Sequence, residues 1–117
     1  MKLFILPETP PAGNFSMRLT TREEILGRFQ KPAYKWTFQV EDGDHKGKQI
    51  TKITGIEARR GESLCNFLSE LQGRELTPGE SVDIDDFIGK LYDVTLTSRQ
   101  NDSSSVVIHK VAPAVEE

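Results

Sequence analysis

Between Tyr34 and Val40 the chain alternates without a break: Tyr34, Trp36, Phe38 and Val40 on one parity, Lys35, Thr37 and Gln39 on the other. Successive side chains of an extended backbone point to opposite faces, so this pattern specifies a half-buried strand with three aromatic rings on one side. A single such strand cannot be stable in water, because one face is apolar and both edges carry unpaired backbone groups. The rest of the chain must therefore supply further strands and a layer to cover the rings. It has 117 residues to do so, enough for one domain and too few for two.

Other segments carry the same period. Phe15, Met17 and Leu19 alternate with Ser16, Arg18 and Thr20, predicting a first strand that Ile25, Leu26 and Phe29 continue after a bend, with Gly27 permitting a bulge. Asp42-Gly43 opens a turn that Gly47 helps close, and a third strand is predicted from Lys48 to Thr54. Its apolar residues, Ile50 and Ile53, are three apart, which suggests a bulge or a change of register. Two later strands are expected over Lys90–Thr97 and Ser105–Val111, with Asn101-Asp102-Ser103-Ser104-Ser105 as the turn or loop between them.

The period changes once. Leu64, Phe67, Leu68 and Leu71 fall at i, i+3, i+4 and i+7 and line one face of a short helix, with Ser63 as expected N-cap and Gly73 as stop. The order strand, strand, strand, helix, strand, strand predicts a mostly β protein, a five-stranded OB-fold-like barrel with one helix plugging its end. The expected division is an extended arm over 1–12, the barrel over 13–112 and a short tail over 113–117. Pro7, Pro10 and Pro11 keep the arm from being a helix or an inner strand.

Several functions are disfavoured by what the chain contains. No apolar run approaches the ~18–20 residues of a membrane helix. The apolar start Leu3-Phe4-Ile5-Leu6 is too short for a signal-peptide core, and Cys65 is the sole cysteine, so a reducing cytoplasm is expected. Cys65, His45 and His109 form no spacing that implies a nucleophile with its base or a metal ligand set, and no phosphate-binding glycine loop is present. Asp83-x-Asp85-Asp86 lacks the further ligands of a calcium loop and reads as a capped helical turn. No catalytic activity, cofactor or metal is expected.

The core aromatics and turn glycines form a wider pattern: Tyr34-x-Trp36-x-Phe38-x-Val40, then Gly47-Lys48, then a helix ending Leu71-x-Gly73, then Phe87-Ile88-Gly89-Lys90. From Gly13 to Val111 this resembles small phage-associated and bacterial OB-like proteins that bind single-stranded DNA. The resemblance implies a non-catalytic module for single-stranded nucleic acid with weak sequence preference. Bacterial single-stranded-DNA-binding proteins in the narrow sense carry a long acidic-tipped tail, whereas Val115-Glu116-Glu117 follow closely on the last expected strand, so a recruiting tail is not expected.

Charge is distributed accordingly. The net charge is −3, yet residues 13–60 hold ten Lys or Arg against six Asp or Glu, and residues 61–117 hold four against eleven. Single-strand binders track phosphates with cations and stack bases on aromatic rings. The expected cations are Lys35, Lys46, Lys48 and Lys52 on the second and third strands and around their hairpin, flanked by Arg18, Arg59 and Arg60. Lys35 should point away from Trp36. The aromatic side is weaker, since Tyr34, Trp36, Phe38 and Tyr92 share faces with aliphatic residues and read as core, while nothing fixes the direction of Phe29 or Phe87. The rival expectation is a protein-interaction or assembly module, in which Leu3, Phe4, Ile5 and Leu6 dock on a partner or a second copy.

Overall fold

A computed structural model describes residue 3 and residues 8–57, 62–99 and 102–114, with the backbone alone for Arg28, Arg99 and 102–105. Five strands form one antiparallel sheet: β1 (Gly13–Leu26), β2 (Pro32–Val40), β3 (Gln49–Thr54), β4 (Leu91–Arg99) and β5 (Asp102–Pro113), in the spatial order β3-β2-β1-β4-β5. One helix, α1 (Ser63–Gln72), lies between β3 and β4 in sequence.

In β2 the rings take the expected side: Trp36, Phe38 and Val40 are buried and Tyr34 half-buried, with Met17 and Leu19 of β1 and Tyr92, Val94 and Leu96 of β4 on the same side, while Ala33 and Thr37 of the opposite parity are buried too. Leu64, Phe67, Leu68 and Leu71 of α1 cover them. Rings meet edge-on or tilted across this layer, Trp36 and Phe38 against Phe67 at centroid distances of 5.0 and 6.1 Å, and Phe38 against Tyr92 at 6.1 Å.

The two outer strands, β3 and β5, approach each other, but no ladder joins them among the described residues. Instead α1 touches both. Its side chains take backbone donors at each margin: Ser63 Oγ accepts from Gly55 N–H at 3.0 Å just past β3, and Glu70 Oε2 accepts from Val111 N–H of β5 at 2.9 Å. The helix thus satisfies donors that strand pairing would otherwise need. The expected barrel is present only as an open sheet bridged by a helix.

Ser63 is consequently not the N-cap. Ser63 is the first helical residue, its hydroxyl engaged with Gly55, and Glu62 occupies the cap position without a side-chain cap bond. Gly73 ends the helix as expected, at φ 83° with its N–H donating to Ser69 O; a Cβ there would also lie 3.1 Å from the Pro113 ring.

Three strand expectations change. β1 runs unbroken to Leu26, with one irregularity: Leu19 opposes Phe38 and Thr21 opposes Thr37, leaving Thr20 as an extra residue whose hydroxyl donates to Thr37 O at 3.1 Å. β3 needs no bulge, because its ladder with β2 is regular; Ile50 points to the core and Ile53 away from it. The polar residues 102–105 belong to β5 rather than to a loop, with Asp102 opposite Arg99; Asn101 lies outside the described residues. Asp83 to Phe87 forms the expected capped turn, a 3-10 helix over Ile84–Phe87 with Asp83 accepting from Asp85 N–H at 3.1 Å.

The arm is anchored where it is described. Glu8 O accepts from Gln49 N–H at 2.8 Å at the start of β3, and Pro10 is fully buried. Leu3 is exposed; Phe4, Ile5 and Leu6 lie outside the described residues. Among the described residues no helix is long and apolar enough to cross a membrane.

Candidate nucleic-acid interface

Directly opposed residues of neighbouring strands share a face, so the register assigns each cation to a side. Glu23, Lys35 and Ile53 form one row across β1, β2 and β3; Thr21, Thr37 and Thr51 form the next; Arg18, Gln39 and Gln49 the third. These nine positions make the face turned away from Trp36 and Phe38. Its exposed part is polar apart from Ile53, which is 53% exposed; Thr37 is buried within it, and the next row, Ile25 with Ala33, is apolar. Lys35 rises from its middle strand, as the alternation requires.

The other expected cations separate. Arg18 is on this face, but its guanidinium is bound to Glu41 (3.1 and 3.3 Å) and to Gly89 O, clamping β1 to the turn before β4. Lys46 is exposed in the hairpin after β2, which is closed by Gly47 N–H to Val40 O at 3.0 Å and Val40 N–H to Lys48 O at 2.9 Å. Lys48 lies 3.4 Å from the Glu8 carboxylate. Lys52 opposes Trp36 and so stands on the opposite side from Lys35, its ammonium 5.8 Å from the centre of the Phe67 ring. Arg59 and Arg60 lie outside the described residues. The expected cluster therefore reduces to Lys46 as an exposed cation, Lys35 as a half-buried one across from Glu23, Arg18 and Lys48 as paired ones, and Lys52 on another face.

Two groups escape a reading of periods. The bulge at Thr20 switches parity, so Arg22 opposes Trp36 and its guanidinium lies 4.7 Å over the Tyr34 ring and 3.2 Å from Asp85. Phe29 is at the tip of the β1–β2 hairpin, 91% exposed, whereas Phe87 is buried. A hydrophobe between Gly27 and Pro32, two turn residues, is the signal that marks Phe29 in the sequence.

Beside the core, Tyr34, Leu64, Leu68, Leu76 and Ile84 line a largely apolar cleft of about 470 Å³. Cys65 shares this lining. At its rim Arg74 is paired with Glu80, and hydrogen bonds from that guanidinium and then from Thr77 N–H pull the Glu80 carboxyl down to about 2. Among the described residues no group of His, Cys, Asp and Glu is placed to hold a metal ion. Compared with protein-family models, with curated proteins and with solved structures, the chain matches none.

Proposed function

We propose that this chain is an OB-type module that binds single-stranded nucleic acid on the outer face of β1, β2 and β3, without a catalytic step and in the cytoplasm. The topology supports the fold half of this reading. A first strand paired on both sides, to β2 and β4, with a helix inserted after β3 and packed against both margins, supports reading the open sheet as a five-stranded barrel of OB type parted between β3 and β5.

The observation that carries the functional half is Lys35. It is the central cation of a polar three-strand surface, on the opposite side from the packed rings, with Lys46 at the hairpin beyond. Such a surface can track phosphates while the threonine and glutamine side chains hydrogen-bond sugars or bases. Fluorescence anisotropy of a labelled thirty-base single strand tests it. Micromolar binding that weakens steeply with salt is expected, and Lys35→Glu with Lys46→Glu should reduce both affinity and salt slope, the slope by about two. No binding at low salt would overturn the reading.

A second reading rests on the arm. Glu8 bonds to the free margin of β3 at Gln49, a placement through which an arm could be exchanged between copies. Deleting residues 1–11 distinguishes the two: loss of an oligomer with strand binding intact assigns the arm to assembly.

A further inference from the structure

We propose that Phe29 is the residue on which an unpaired base stacks, and that it gives the module its preference for single strands over duplex. This inference rests on the nucleic-acid reading above.

The hairpin between β1 and β2 begins after Leu26, which opposes Pro32, and Gly27 N–H donates to Lys31 O at 2.7 Å across its base. At its tip Phe29 has φ 57° and ψ 27°, and Gln30 follows at φ 58°. Two successive residues with side chains in the left-handed region are uncommon, and for a bulky one the conformation is an outlier, because Cβ crowds the backbone carbonyl. Glycine or asparagine would hold the same turn at less cost. The chain instead keeps a phenyl ring there, in water, where it contributes nothing to the core. Backbone strain of this kind, held by the surrounding structure, clusters at binding and switch sites.

The charge around the ring points to its occupant. The loop from Gly27 to Lys31 holds no acidic residue, and Arg28 and Lys31 flank Phe29 in the chain; further along the hairpin Glu24 opposes Tyr34 and Glu23 opposes Lys35. Lys31 is exposed, two residues along the chain from the ring. One ring between two cations, in a loop without an acid, suits a polyanion that also presents flat apolar groups, which describes a nucleic-acid strand better than an apolar protein surface. In a duplex each base face is already covered by its neighbours, so the ring gains a contact only when the base is unpaired and unstacked.

The test uses the full chain and a labelled thirty-base strand, with a duplex of the same length as competitor. Phe29→Ala and Phe29→Leu should each weaken single-strand binding roughly tenfold, the lower part of what one stacked base contributes. Their salt slopes and duplex affinity should match wild type, because the phosphate contacts remain. Phe29→Trp should keep its affinity, and its new emission should be quenched as strand is added; Trp36 is buried, and a wild-type titration supplies its contribution. Wild-type affinity in the alanine variant would overturn the stacking role and leave the wider reading standing. So would emission from the introduced indole that stays unquenched while anisotropy reports binding. A dimer that Phe29→Ala dissolves would overturn it too, by showing that a second copy covers the ring. Failure of the wild-type protein to bind at low salt would remove the nucleic-acid reading itself.

Discussion

Trp36 Nε1 donates to Thr54 Oγ1 at 2.9 Å, joining the centre of β2 to the end of β3 inside the core. Thr54 passes the bond on, its own hydroxyl donating to Gly55 O at 3.1 Å, and Gly55 N–H in turn reaches Ser63 Oγ at the start of α1. This short relay fixes where β3 stops and where the helix begins, and so sets how α1 crosses the open side of the sheet. Replacing Thr54 by valine keeps the shape but leaves the indole donor buried and unpaired. Thr54→Val should cost about 1–3 kcal/mol, measured by urea unfolding, and Thr54→Ser should recover much of it.

The other end of the bridge is Glu70. Its carboxylate holds Val111 N–H of β5, and Glu70→Leu would leave that donor without its partner. A loss of about 1–3 kcal/mol is expected. Faster hydrogen exchange at Val111 than at Val94, in the adjoining ladder, would localise the effect. Unchanged exchange at Val111 would mean that another group holds the strand margin.

Glu80 makes acid stability titrate. Its carboxyl lies at about 2 in the folded chain against an ordinary value of 4.5, because Arg74 and Thr77 N–H donate to the ionised form. A lowered folded value means a contribution that is complete above about 4.5 and disappears as pH falls through about 2. Wild type should therefore exceed Glu80→Gln in thermal stability by a constant, small margin at neutral pH, and the two curves should converge between pH 4.5 and 2. Because the pair is exposed, salt should narrow the margin. Parallel curves down to pH 2 would contradict this pairing.

Phe29 should trade stability for binding. Phe29→Gly removes the left-handed strain at φ 57° but loosens the unfolded chain, and a net gain of roughly 0.5–1 kcal/mol is expected. The denaturant midpoint should rise while single-strand affinity falls. A lower midpoint would mean that the ring supports the hairpin.

Lys35 and Lys52 should behave differently although both belong to the β2–β3 pair. Lys35→Glu is expected to weaken strand binding and lower its salt slope by about one, with the fold unaffected. Lys52→Glu removes the cation from the Phe67 ring, worth about 0.5–1 kcal/mol, and should leave binding unchanged. Equal losses of affinity in both would contradict a single binding face.

How much of this was readable in the chain follows from which interactions are local. Alternation in Tyr34–Val40 and the four-residue stripe of α1 depend only on backbone repeat, so the buried rings and the helix face are stated by the residues themselves. The same holds for the Asp83 cap, made two residues away. Sequence also placed Lys35 opposite Trp36, because neighbours on one strand always part. Only the tertiary structure decided what depends on a second strand. One extra residue at Thr20 turned Arg22 to the Trp36 side, a regular register sent Ile53 outward and Lys52 to the helix side, and Ser63 met Gly55 rather than its own helix. Charge pairing obeyed the same rule, since Arg18 reaches Glu41 and Lys48 reaches Glu8 through space. A side chain's direction is inherited from its own backbone, but its partner is set by the strand, helix or arm that packs beside it.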